Sequence, residues 1–236
     1  MLQYENIKIE SPQDGGQYLG VNTDFWQETI GADVGEIKVP TIEPGKIELD
    51  FLLEKHHHLY GRPWVLGKYF FEFLQSKGMK PTDKFLDFGC GTGRLAIRVI
   101  PFLEEGHYFG VDSHLRSLQA LASYEIPVND LAHKKPRVIL DSSFQFDFLG
   151  EQFDWATDLF VTYHFDQETR MMAYKNLSKV LKTGGRIITL MAPEVPKGYM
   201  EEIGLELEFQ EVQPCPLLVN HEGMLAENPW FVYKKV

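Results

Sequence analysis

The chain has 236 residues, 44% hydrophobic and 24% charged, with a formal net charge of −11; this suits one α/β domain with a modest extension and an ordinary buried core. Its two cysteines, Cys90 and Cys215, make no disulfide framework, and its acidic balance argues against a nucleic-acid partner. No run of about 18 apolar residues predicts a membrane span, and no basic-then-apolar leader is visible, so a cytoplasmic protein is expected.

The first forty-odd residues carry turn signals at Ser11-Pro12, Asp14-Gly15-Gly16, Gly31, Gly35, Pro40 and Pro44-Gly45. Residues 1–62 therefore read as an irregular extension or lid, with one candidate helix through Glu48 to His58. Residues 63–236 read as the main domain. Pro63 opens a helix rich in aromatics, and Gly78 and Pro81 close it. Strands and helices then alternate. Lys84 to Phe88 is a short strand, and Thr92 to Leu103 is helical, with Leu95, Val99 and Leu103 on one face. Tyr108 to Val111 is a strand ending at Asp112, and Leu115 to Tyr124 is a helix. Arg137 to Leu140 is a strand ending at Asp141, and Phe153 to Thr162 a fourth. Asp166 caps a helix that Gly184-Gly185 ends, and Arg186 to Met191 is a fifth strand. Two more strand-like runs, Leu205 to Val212 and Trp230 to Tyr233, complete the tail.

This alternation implies a mostly parallel sheet covered by helices on both faces. Ligands in such sheets bind beyond the carboxyl ends of the strands. Three strands here end in an acid, Asp87, Asp112 and Asp141, which lines three carboxylates along one rim. Any one alone is as well explained as a turn-starting aspartate. Between the first strand and its helix lie Gly89, Gly91 and Gly93. Alternating glycines let main chain pass close to a ligand. Spacing alone leaves a dinucleotide open, because Gly91, Gly93 and Ala96 fit G-x-G-x-x-G/A. Asp87, two residues before the loop, would repel a pyrophosphate and suits a cationic ligand. A P-loop is excluded, since no Gly-Lys-Ser/Thr follows.

The run Phe85-Leu86-Asp87-Phe88-Gly89-Cys90-Gly91-Thr92-Gly93-Arg94 resembles the first motif of class I, Rossmann-like S-adenosylmethionine-dependent methyltransferases. The resemblance continues through Phe109-Gly110-Val111-Asp112, Asp141-Ser142, Phe153-Asp154-Trp155-Ala156, Leu181-Lys182-Thr183-Gly184-Gly185-Arg186 and Trp230-Phe231-Val232-Tyr233. Thr183 stands where that family usually has proline. The match covers roughly residues 64 to 236. It implies a seven-stranded, mostly parallel sheet with an antiparallel last strand. It implies S-adenosylmethionine as methyl donor and S-adenosylhomocysteine as product. By resemblance, Asp87 sits by the methionine part, Gly89, Gly91 and Gly93 pass close to it, and Asp112, with Ser113 beside it, accepts the ribose hydroxyls. Asp141 and Ser142 would meet the adenine, and Leu159 would run past the cofactor.

The acceptor is less legible. Methyl transfer is an in-line displacement at a sulfonium, so alignment and water exclusion dominate. Asp158-Leu159-Phe160-Val161 lacks the prolines of the [DN]-P-P-[YF] motif of adenine and glutamine N-methylating enzymes. Pro214-Cys215 lies too far along the chain for cytosine C5 chemistry. No Asp-Asp-Asn pattern of a metal-dependent catechol-type enzyme is evident, so no metal is expected. His164 is the candidate general base, set against a role in fixing the strand-to-helix turn. Trp26, Tyr60, Trp64, Tyr163 and Phe165 are candidate walls of an acceptor pocket. His56-His57-His58 fans over different faces of a helix, so a solvated helix end is the ordinary reading, with a pair plus a distant partner left open. The expectation is O- or N-methylation of a small molecule or natural product. Peptide or protein methylation, and a non-catalytic cofactor-binding accessory role, are the alternatives. Oligomeric state stays open between monomer and homodimer.

Overall fold

The computed structural model describes residues 7–11, 55–58, 63–219 and 225–236. Its strands are β1 (Ile9–Glu10), β2 (Phe85–Phe88), β3 (Tyr108–Asp112), β4 (Arg137–Leu140), β5 (Phe153–Asp158), β6 (Leu181–Thr189), β7 (Leu205–Val219) and β8 (Leu225–Lys235). Its helices are α1 (Lys68–Ser76), α2 (Ala96–Phe102), α3 (Leu115–Ala120), α4 (Ile126–Val128), α5 (Gln167–Val180) and α6 (Tyr199–Glu202). The sheet runs in the order β1-β4-β3-β2-β5-β6-β8-β7. Pairs from β1 to β6 are parallel, and β8 is antiparallel to both of its neighbours. This is the expected Rossmann-like sheet.

Strand alternation sorts side chains onto two faces. Along β8, Trp230 and Val232 enter one core, and Phe231 and Tyr233 enter the other. The first core holds Phe70, Phe73 and Leu74 of α1 and Ala96, Val99 and Ile100 of α2. The second holds Ala173, Tyr174, Leu177 and Val180 of α5. Trp230 is fully buried, stacks on Phe73 at 3.8 Å and donates from Nε1 to the Tyr69 hydroxyl at 2.9 Å. That contact ties α1 to the far half of the sheet.

Several boundaries differ from the sequence expectation. An eighth strand, β1, comes from the segment read as irregular and pairs parallel with β4. Glu10 holds Arg137 of β4 through two oxygens, at 2.9 and 2.7 Å. Strand β5 stops at Asp158, short of Thr162, because the Asp158 carboxylate accepts the Val161 and Thr162 amides and turns the chain. Helix α3 continues through a π-turn (Leu121–Glu125) into α4. Most of the expected helix from Glu48 to His58 lies outside the described residues, and Lys55–His58 forms a single 3-10 turn. The Asp166 cap is as expected, its carboxylate accepting the Thr169 amide at 2.8 Å. No helix among the described residues is long and apolar enough to cross a membrane.

Candidate active site

The rim forms where β2, β3 and β4 end side by side. Asp87 pairs with Gly110, and Asp112 with Leu140, in the strand register. After β2 the chain turns through Gly89, Gly91 and Gly93, all with positive φ, of 72°, 55° and 93°. Side chains disfavour that region, which is why the loop needs glycine at each alternate position. At Gly89 there is also no room: a Cβ would lie 2.1 Å from Val161 Cγ2.

The Gly89 and Cys90 amides donate to the Val111 carbonyl at 2.8 and 3.2 Å. The Gly91 amide donates to Asp112 Oδ2 at 2.8 Å, and the His114 amide to Asp112 Oδ1 at 2.8 Å. Asp112 therefore clamps the glycine loop to the end of β3. Each carboxylate oxygen keeps a further lone pair for a ligand. Burial pushes the Asp112 carboxyl upward, and the His114 and Gly91 amides pull it back.

Asp87 is 3% exposed. The Tyr108 hydroxyl donates to its Oδ2 at 2.8 Å and the Thr157 hydroxyl to its Oδ1 at 3.1 Å. Desolvation raises its carboxyl to about 6, against the lowering effect of those two donors. A buried carboxylate of this kind gains from a nearby cation. Asp141 accepts the Ser143 amide and hydroxyl on Oδ1, at 3.1 and 2.7 Å, and the Phe144 amide on Oδ2 at 3.1 Å. Its turn role and its place on the rim coexist.

One cavity of about 340 Å³ brings together Asp87, Gly89, Gly91, Asp112, Ser113, Asp141, Leu159 and His164. Gly93 and Ser142 do not line it; the Cβ direction of Gly93 meets Leu121 at 2.6 Å, and Ser142 is buried. Tyr163 does not line it either and is 54% exposed. It stands outside this cavity, where the sequence had suggested a wall position. The 3-10 turn Thr162–His164 sends successive side chains different ways: Thr162 inward to Asp158 Oδ2 at 2.5 Å, Tyr163 outward, and His164 to the cavity. Trp64 falls in the π-turn Pro63–Gly67, while Trp26 and Tyr60 lie outside the described residues.

Phe165, a candidate from the sequence, lines the cavity, and Phe70, Phe144, Phe160 and Val161 complete the apolar wall. Phe144 and Phe160 have positive φ, 57° and 69°, which bulky residues rarely adopt. Such backbone persists only where its surroundings hold it, and it clusters at ligand sites. Sequence reasoning also missed Cys90, Arg94, Leu95, His114 and Ser117 on the lining. Their signal was position, within two strand-end loops and the helix starts that follow. His114 Nδ1 lies 2.7 Å from Ser117 Oγ, and burial lowers the ring's basicity against the pull of Asp112. Burial also lowers His164 below its ordinary 6.5, with Asp158 pulling the other way, so its imidazole is neutral at pH 7. Burial pushes the Cys90 thiol well up, so it is no nucleophile at neutral pH.

His56 and His57 do not form a solvated helix end. His56 Nε2 and His57 Nε2 converge on one oxygen of Glu125, at 2.6 and 2.9 Å. All three side chains are less than a tenth exposed. Tertiary packing across 69 residues of sequence overrides the fan of the local backbone.

The residues fit S-adenosylmethionine on their own geometry: a positive-φ glycine turn whose Gly89 and Gly91 line the cavity, a carboxylate with lone pairs left for a ligand, and a buried acid suited to a cation. Residues 86–187 match a family model described as a methyltransferase domain. The fold is similar to magnesium protoporphyrin IX methyltransferase (ChlM) from Synechocystis PCC 6803 with bound SAM, at 14% identity and TM-score 0.56, covering 92% of each chain. The same enzyme with bound SAH matches at 15% identity and TM-score 0.55, over 91% of this chain and 94% of that one. The PH0226 protein from Pyrococcus horikoshii OT3 matches at 16% identity and TM-score 0.55, over 77% and 99%. At such identities the likeness is one of fold; the family match and the motif-bearing rim carry the rest. Residues 86–187 thus carry a methyltransferase domain, set in a Rossmann-like fold similar to that of S-adenosylmethionine-dependent methyltransferases.

Proposed function

We propose that this enzyme methylates an oxygen or nitrogen of a small, largely apolar acceptor. One observation carries the reading. The acidic and glycine rim shares a single cavity with the wall of Phe70, Phe144, Leu159, Phe160, Val161 and Phe165, and His164 stands on the same lining. The cofactor, when bound, supplies an electrophilic methyl carbon on a sulfonium. The protein's part is to align an acceptor and keep water out, which the aromatic wall suits.

In this reading Asp112, beside Ser113, accepts the ribose hydroxyls. Asp141, backed by Ser142, meets the adenine, and Asp87 faces the cationic methionine end. Leu159 packs along the cofactor. Neutral His164 accepts the acceptor's proton at a ring nitrogen. Residues 1–62 act as an extension over the domain. Their described parts support this: the Ile7 amide donates to the Ala122 carbonyl at 3.4 Å, and His56 and His57 reach Glu125 on the same helical stretch. A reducing cytoplasm suits the free, buried Cys90.

The test is methyl transfer from labelled S-adenosylmethionine across three acceptor panels: apolar phenols and amines, peptides, and whole-protein extracts. Turnover confined to small apolar acceptors supports the proposal. Turnover confined to peptides or proteins overturns it. Tight S-adenosylhomocysteine binding without turnover on any panel would mark an accessory role.

A further inference from the structure

The cluster of His56, His57 and Glu125 lies outside the cavity just described and takes no part in the proposed reaction. Glu125 sits at the end of the π-turn that continues α3, two helical steps of four residues beyond Ser117. The 3-10 turn Lys55–His58 covers it. Three features distinguish the cluster from an ordinary buried ion pair. Both imidazoles present the same atom, Nε2, to the same carboxylate oxygen, at 2.6 and 2.9 Å. The three ligand atoms lie within 4.8 Å of one another. The second oxygen of Glu125 is held from behind, with Asn129 Nδ2 at 3.4 Å from Oε2 and 2.8 Å from the Glu125 carbonyl.

We propose that His56, His57 and Glu125 bind one divalent transition-metal ion of the zinc class, which pins the end of the N-terminal extension to the α3–α4 helix. The donor chemistry selects the ion. Two imidazole nitrogens and one carboxylate are a borderline set that suits zinc or its neighbours and disfavours calcium or magnesium, which take oxygen ligands. Ligand bonds of about 2.0–2.2 Å to one ion require the nitrogens and oxygen to separate by somewhat under about 1 Å from their present spacing. Rotation of short side chains supplies that. Coordination through Nε2 puts each ring proton on Nδ1, and a water completes the shell. A buried carboxylate is costly unless compensated, and a dication bound directly to it supplies that compensation. Asn129 is then a positioning residue that orients the carboxylate.

The experiment uses the full chain, stripped with a chelator and titrated with Zn²⁺ by calorimetry and with Co²⁺ by visible absorption. S-Adenosylhomocysteine binding serves as the check that each variant is folded. The expected result is one Zn²⁺ per chain and a Co²⁺ d–d spectrum, both lost in the double variant His56→Ala/His57→Ala and in Glu125→Gln. Asn129→Ala should weaken the affinity by roughly 10–100-fold. The chain has eight histidines, so a stoichiometric site that survives in the folded double variant places the ion elsewhere and overturns the proposal. If a variant fails to fold, the wild-type titration still decides: no stoichiometric uptake of Zn²⁺ overturns it.

Discussion

Asp112 Oδ2 accepts the Gly91 amide at 2.8 Å, so the acid that ends β3 holds the glycine loop that ends β2. Two features that look separate in sequence form one device. Asp112→Ala should therefore lose both the loop clamp and the proposed ribose contact. Loss of a charge-assisted hydrogen bond costs roughly 1.5–3 kcal/mol, or about 10- to 150-fold in affinity. Calorimetric titration with S-adenosylhomocysteine checks this; an affinity within twofold of wild type would remove Asp112 from the cofactor site.

Asp87 makes stability depend on pH in an unusual direction. Its carboxyl is raised from 3.8 to about 6 by burial. A group raised on folding contributes stability that is present below 3.8 and lost as pH rises through about 6. The shift corresponds to roughly 3 kcal/mol across that window. Asp87→Asn should remove this dependence, so denaturant midpoints of variant and wild type should move apart, in favour of the variant, between pH 4.5 and 7. A constant difference across that range would show that Asp87 is not the titrating group.

His164 is the group for a pH–rate profile. Burial lowers its pKa below 6.5, so a rate that needs the neutral ring should rise through a midpoint under 6.5 and level off near neutrality. His164→Ala should lower kcat by roughly 10²–10⁴ with KM little changed and should abolish that limb. Unchanged turnover on the true acceptor would leave the residue a purely structural part of the turn.

The close approach of Gly67 to the loop is a packing constraint. A Cβ there would lie 2.1 Å from the Arg94 carbonyl oxygen, a backbone atom that cannot swing aside. Gly67→Ala should cost about 1–3 kcal/mol of stability by overpacking. It should also weaken S-adenosylhomocysteine binding, because Arg94 and Leu95 line the cavity. Thermal unfolding with and without ligand measures both effects; a melting temperature equal to wild type would show that the backbone accommodates the methyl group.

The core strands, the glycine loop and the three rim acids were legible because each is a local pattern. Strand β2 reads Phe-Leu-Asp-Phe with its acid at the rim, and the glycines need positive φ wherever the chain turns into α2. The boundaries that moved were decided by side chains acting on backbone. Asp158 ends β5 by capping amides three and four residues ahead, a preference no apolar period records. Tyr163 was expected in the wall because aromatic residues suit one, yet a 3-10 turn points it to solvent and leaves the wall to Phe144, Phe160 and Phe165.

By itself, then, the amino-acid sequence determined the alternating α/β architecture, the glycine loop and the line of acids, since these depend on residues a few positions apart. Only the tertiary structure decided what each acid does and which distant groups meet. Asp87 finds Tyr108 and Thr157 at separations of 21 and 70 residues. Arg137 finds Glu10 across 127 residues, and Glu125 gathers two histidines that local geometry would have spread apart. Burial is the physical reason. It raises the cost of an unsatisfied polar group, and the chain meets that cost with whatever partner the fold, rather than the sequence, brings near.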